Sequence, residues 1–275
     1  MTIVFLILRI LANPFANALQ KKIVQKDSAI LSNFYIYLTL SIACLPFCSE
    51  IINLSKETYI YALSAGLFCA TGTVCLVKAL ELGELSVLGP INSYKCIIGM
   101  FSAFLLVGEV PSIQGLFGMM LIIYGSKFIF EQNEFSFKLF KRKDIQLRFL
   151  ALLLSGIEAG FLKKVIILSS PQVSFYMWCI FGAFFSFIIL ILSRKKLSKP
   201  TGINKYILVA ISLAIMQLST NIVFKKMDVS LALALFQLSS LITVFIGYKI
   251  FNEKNVKKKL LGTFIMISGA ILILK

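Results

Sequence analysis

Residues 172–193, QVSFYMWCIFGAFFSFIILILS, run for 22 positions without a charged side chain. A helix needs ~20 mostly apolar residues to cross a bilayer, and this chain supplies such runs one after another. Of its 275 residues 59% are apolar and only 15% charged, with a mean hydropathy of +0.91. Backbone polar groups surrounded by hydrocarbon must be satisfied within their own segment, which selects helices. The chain reads as an all-α integral membrane protein. Its first run, MTIVFLILRILANPFANALQKK, has no basic leader, so it reads as a span rather than a signal peptide.

Charge and turn signals cut the chain into ten apolar segments: 2–20, 30–48, 58–80, 85–107, 111–130, 147–168, 172–193, 206–224, 230–251 and 260–274. A basic linker, EQNEFSFKLFKRKDIQ at 131–146, separates a first five-helix repeat (1–130) from a second (147–275). The halves share motifs in register. Glu109, Gly118 and Gly125 match Glu253, Gly262 and Gly269 at a constant offset of 144, and NALQKKIVQ (17–25) matches AGFLKKVII (159–167). Five spans per repeat make the second copy inverted, a common plan among secondary transporters.

The stretch KALELGELSVLGPINSYKCIIGMFSAFLLVGEVPSIQGLFGMMLIIYGSKFI resembles the signature half of the drug/metabolite transporter (DMT) superfamily, in its ten-helix EamA-type branch. Ala79-Leu80, Pro90, Gly108-Glu109, Gly118 and Gly125 occupy the pattern's positions. The second copy departs from it, with Asn252 before Glu253 and Ala234 near the expected proline. The resemblance covers essentially the whole chain. It implies transport of small solutes by alternating access, with the first, third, fourth, sixth, eighth and ninth helices around a central cavity. It also implies that the fifth and tenth helices are dimer or scaffold elements, so a homodimer is allowed for.

Three ionisable residues fall deep within apolar runs: Arg9, Lys95 and Glu158. Lys95 is the eleventh residue of the 85–107 segment, ~15 Å from its end at 1.5 Å rise per residue. An intramembrane charge costs about 2.5–3.5 kcal/mol on insertion scales and marks a functional site by default. Asn92, Lys95, Gly99 and Ser102 share one helix face, and Gln237, Ser240, Val244 and Gly247 repeat that spacing on the ninth segment. Two such stripes read as facing walls of one cavity; cross-helix hydrogen bonding is the alternative. The expected substrate ligands are Lys95, Asn92, Tyr94, Gln237, Ser240, Arg9, Asn13 and Glu158. How Arg9, Lys95 and Glu158 pair is left open. Glu109 and Glu253 read as caps of the helices that follow them, and the glycines of the fifth and tenth helices as packing positions.

The charge balance favours a small anionic or zwitterionic metabolite. The competing reading is an amine or cation exporter coupled to protons through Glu158, with Tyr94, Tyr176 and Trp178 offering aromatic faces. Without histidine, a CxxC pair, GxSxG or HExxH, neither catalytic nor metal-ligating residues nor a cofactor is expected, and a membrane-embedded lipid-modifying enzyme is the runner-up reading. A noncatalytic scaffold would not need opposed polar stripes. The net charge of +16 suggests nucleic acid in a soluble protein, but here the positive residues flank apolar runs and face lipid headgroups. The expected setting is the inner or plasma membrane, multi-pass.

Connections after odd-numbered segments hold twenty lysines and arginines and the opposite face six. The positive-inside rule then puts both termini outside the cytoplasm, whereas the resemblance implies termini inside. A reporter enzyme fused after Lys275 is expected to report a non-cytoplasmic location; cytoplasmic activity reverses the orientation.

Overall fold

The structure, a computed structural model, describes residues 2–85, 88, 91–128, 141–195, 197–251 and 256–274. Its helices are α1 (Thr2–Val24), α2 (Ala29–Cys44), α3 (Lys56–Leu82), α4 (Lys95–Val107), α5 (Ile113–Lys127), α6 (Lys143–Leu168), α7 (Pro171–Leu192), α8 (Ile203–Lys226), α9 (Val229–Phe236), α10 (Ser239–Phe251) and α11 (Val256–Leu274). There are no strands among the described residues. Serines set several starts. Ser55 Oγ accepts the Thr58 N–H at 3.2 Å, and Ser170, followed by Pro171, accepts the Val173 N–H at 3.1 Å, satisfying amides that a helix leaves unpaired in its first turn.

Six stretches are long and apolar enough to cross a membrane: Thr2–Val24, Ala29–Glu50, Lys56–Leu82, Pro171–Leu192, Ile203–Lys226 and Val229–Ile250. The surface agrees. Leu105, Ile113 and Leu192 are each at least three-quarters exposed, while Arg9, Asn33, Glu158, Gln217, Asn221 and Gln237 are buried. This inside-out distribution suits a protein whose solvent is lipid on its flanks. The chain is a multi-pass integral membrane protein.

The 85–107 segment is not one continuous helix. A 3-10 turn at Asn92–Tyr94 precedes α4, so Lys95 is the first residue of a 13-residue helix rather than the middle of a long one. The 230–251 segment breaks likewise between α9 and α10, and the helices restart at Lys95 and Ser239, 144 positions apart. Short-range bonds carry the second break: Gln237 N–H to the Ala234 carbonyl at 3.0 Å and Ser240 N–H to that of Gln237 at 2.8 Å. The backbone stays satisfied while the side chains are redirected.

Glycines bring α5 and α11 together. A Cβ on Gly125 would meet the Gly262 carbonyl oxygen at 2.6 Å, and one on Gly269 would meet that of Gly118 at 2.6 Å. These contacts lie within the chain. Glu109 departs from expectation more sharply. Instead of capping the helix that follows it, it accepts the Val229 N–H at 2.8 Å, capping α9, and pairs with Lys163 of α6 at 2.7 Å. Lys163 also donates to the carbonyls of Phe224 and Met227. Pro90, residues 131–140, Asn252, Glu253, Lys275 and the surroundings of Val244 and Gly247 lie outside the described residues.

Two consequences are measurable. Gly269→Val is expected to lower the thermal midpoint through a main-chain clash costing about 1–3 kcal/mol, while Gly108→Ala, at φ 72° with open space around it, costs only the left-handed strain of about 1–2 kcal/mol. An unshifted midpoint for Gly269→Val refutes the packing role. Glu109→Gln leaves Lys163 without its carboxylate, a loss of about 3–5 kcal/mol for a buried pair. Glu109→Gln combined with Lys163→Met should recover part of it in the same melting assay.

Candidate functional site

One face of α1 carries Arg9, Asn13, Asn17 and Gln20, spaced by 4, 4 and 3 residues, and all four line a single cavity. Beside them α8 contributes Gln217 and Thr220, and the break between α9 and α10 with the first turn of α10 turns Gln237, Ser239, Ser240 and Thr243 inward. The wall is completed by Asn92 and Lys95, by Arg148 and Glu158 of α6, by Cys69 and Thr73 of α3, and by Tyr37 and Trp178 of α2 and α7. The cavity holds about 1040 Å³ of empty space, counting what is continuous with the outside. That is room for a small metabolite.

Glu158, on the wall, accepts a hydrogen bond from Trp178 Nε1 at 2.9 Å. The indole meets Tyr37 edge-on at 5.0 Å between ring centres, and the Tyr37 hydroxyl contacts Cys69 Sγ at 2.7 Å and Thr73 Oγ1 at 3.1 Å. Arg9 Nε donates to Thr220 Oγ1 at 2.9 Å and its guanidinium lies 4.7 Å from the centre of the Phe236 ring. Its Nη1 is buried with no hydrogen-bond partner among the described residues, as are both amide atoms of Gln20. Asn13 Nδ2 donates to Ser239 Oγ at 3.3 Å, and Arg148 Nε to the Leu88 carbonyl at 2.9 Å. Lys95 lies within Coulombic range of Glu158, Arg9 and Arg148. None of the three cations has a carboxylate within 4.0 Å among the described residues.

Of the eight residues expected from sequence, Arg9, Asn13, Asn92, Lys95, Glu158, Gln237 and Ser240 line this cavity. Tyr94 does not: it packs near Phe149, at 6.4 Å between ring centres. The turn sends the Tyr94 ring toward Phe149 while Lys95 faces the cavity. The stripe on α4 also divides. Gly99 abuts Leu233, and Ser102 donates to the Ile157 carbonyl at 2.8 Å, so both serve packing. Among the aromatics Trp178 faces the cavity, whereas Tyr176 stacks on Phe47 at 5.1 Å. Sequence reading missed Arg148, Asn17, Gln20, Gln217, Thr220, Ser239 and Thr243. The regular spacing of Arg9, Asn13, Asn17 and Gln20 was the signal available for the α1 face.

The model of the EamA-like transporter family matches residues 1–130 and 143–275. A solved structure titled only "Crystal structure of protein" superposes with a TM-score of 0.72 at 15% identity, covering 98% of this chain and 95% of that one; a likeness at that identity carries the fold alone. No curated protein matches. With both halves of the sequence matched, the chain belongs to the EamA-like transporter family of the drug/metabolite transporter superfamily, whose members are membrane transporters of small molecules.

Proposed function

We propose that the chain is a secondary transporter of ten membrane segments in two inverted five-helix repeats, moving a small anionic or zwitterionic metabolite by alternating access. The inverted arrangement is supported by correspondences between the halves. Helices restart at Lys95 and Ser239, and the glycine contacts of α5 and α11 are reciprocal. The extensive packing of α3 on α6 is matched by that of α1 on α8, the pairing an inverted repeat requires. Counting α9 and α10 as one interrupted segment gives ten. α4 is only 13 residues long, ~20 Å at helical rise, so its segment reaches across only with the turn that precedes it.

The observation that carries the function is Lys95: a cation on the wall of a polar cavity, ringed by apolar helices and, among the described residues, without a carboxylate at contact distance. In a low-dielectric setting such a charge attracts an anion far more strongly than in water. Lys95, Asn92, Arg9, Asn13, Gln237, Ser240 and Glu158 are the proposed substrate ligands, and Tyr94 is withdrawn from that set. Alternating access needs one end shut while the other is open, and the tie of Glu109 to Lys163 and Val229 is suited to closing one of them. The inner or plasma membrane remains the proposed location. The apolar outer faces of α5 and α11, with Phe117 and Phe264 exposed, leave room for a homodimer.

The second reading rests on Glu158 beside Trp178 and Tyr37, a carboxylate with aromatic neighbours suited to an ammonium. A metabolite panel assayed by uptake and thermal shift separates the two. Lys95→Gln is expected to lose at least tenfold in response to anions and zwitterions with its melting profile intact. Equal binding by that variant makes Lys95 structural; a response confined to amines and abolished by Glu158→Gln installs the exporter reading.

A further inference from the structure

Taking that transporter reading as its basis, we infer that the cavity selects a substrate with two negative charges, a dicarboxylate or a phosphate monoester, over monoanions and zwitterions. Charge balance on the wall carries this. Arg9, Lys95 and Arg148 face the cavity, and Glu158 is the one carboxylate among its described lining residues. Ionised, the four leave an excess of two positive charges. Nothing nearby neutralises it: the ion pairs among described residues join Arg142 to Asp144, Lys163 to Glu109 and Lys164 to Glu57.

Buried charge without a partner is costly, and breaking a pair hurts because it leaves such a charge behind. A bound zwitterion would leave the excess untouched, and a monoanion would leave half of it. A dianion removes it. The available donors fit as well. Arg9 Nη1 and the Gln20 amide are buried and unpartnered among the described residues, while Arg148 spends Nε on the Leu88 carbonyl and has further donors on its planar fork. Arg148 stands away from the wall's carboxylate: it and Glu158 are ten residues apart on α6, ~15 Å along its axis, with Lys95 in Coulombic range of both. An excess of two positive charges accommodates either two carboxylates of one small molecule or a single doubly charged phosphate.

The test uses the full-length protein in lipid nanodiscs and isothermal titration with succinate, succinamate and 4-aminobutyrate, which have four-carbon skeletons and net charges of −2, −1 and 0 at neutral pH. Glycerol 3-phosphate forms a parallel arm. Succinate or glycerol 3-phosphate should bind at least tenfold more tightly than succinamate, and 4-aminobutyrate should be weakest; which dianion leads tells carboxylate from phosphate. Lys95→Gln and Arg148→Gln should each narrow the succinate-to-succinamate ratio at least fivefold, and Lys95→Arg should retain it, a pattern that misfolding cannot produce. Succinamate or 4-aminobutyrate binding as tightly as both dianions overturns the dianion inference and leaves the metabolite reading standing. A panel in which only amines bind overturns both.

Discussion

Hydrocarbon offers no partner to a charge, so every ionised side chain in a membrane-crossing helix has to point at protein or at a wet cavity. That constraint orients the helices here. Arg9 fixes the rotation of α1, and because Asn13, Asn17 and Gln20 recur on the same face, one rotation brings all four to the cavity. Glu158 does the same for α6, with Arg148 nearly three turns earlier on that face. The opposite faces are left to lipid: Ile3, Val4, Ile7 and Leu11 of α1 are exposed. The cavity is thus the shared interior that the buried charges require.

The two interruptions follow from the same requirement. A continuous helix presents a residue toward a given direction only every third or fourth position, whereas the second break brings Gln237, Ser239 and Ser240 to the wall within four consecutive residues. Non-helical backbone at membrane depth is tolerated only where its polar groups are met by protein or water. Here turn-type bonds such as Ser240 N–H to the Gln237 carbonyl meet much of that need. What the chain gives up in regularity it regains as a denser set of polar groups facing one place.

Much of this was legible from residue order, because a charge inside an apolar run is conspicuous. Arg9, Lys95 and Glu158 announced themselves that way. Arg148 did not, since it follows Arg142 and Lys143 and reads as part of a basic flank; only α6 beginning at Lys143 carries it to the wall. Counted there, it leaves nineteen positive residues on that face of the proposed ten-span arrangement against six on the other, so the expected charge asymmetry survives. Asn17 and Gln20 were hidden for a similar reason, by Lys21 and Lys22 just beyond them. The second break was illegible because ALFQLSSL at 234–241 has neither glycine nor proline, whereas Gly89-Pro90 stands just before the first. The partners of Glu109 were out of reach altogether, for Lys163 and Val229 lie 54 and 120 positions away.

Two interior lysines in this chain, Lys163 buried and Lys95 half-buried on the cavity wall, invite comparison, and their difference is the sharpest argument about what the cavity is for. An ammonium has three protons to give. Lys163 gives them to the Glu109 carboxylate and to the carbonyls of Phe224 and Met227, so its charge and its donors are both answered within the protein. Such a lysine holds helices together and has nothing left for a ligand. Among the described residues Lys95 has no hydrogen bond or ion pair of this kind, though Glu158 stands within its field. The chain therefore has a way to satisfy a lysine in its interior and uses it in one place and not in the other. A charge left open beside a polar cavity, in a protein that elsewhere closes one completely, is the arrangement expected where the missing partner arrives from outside.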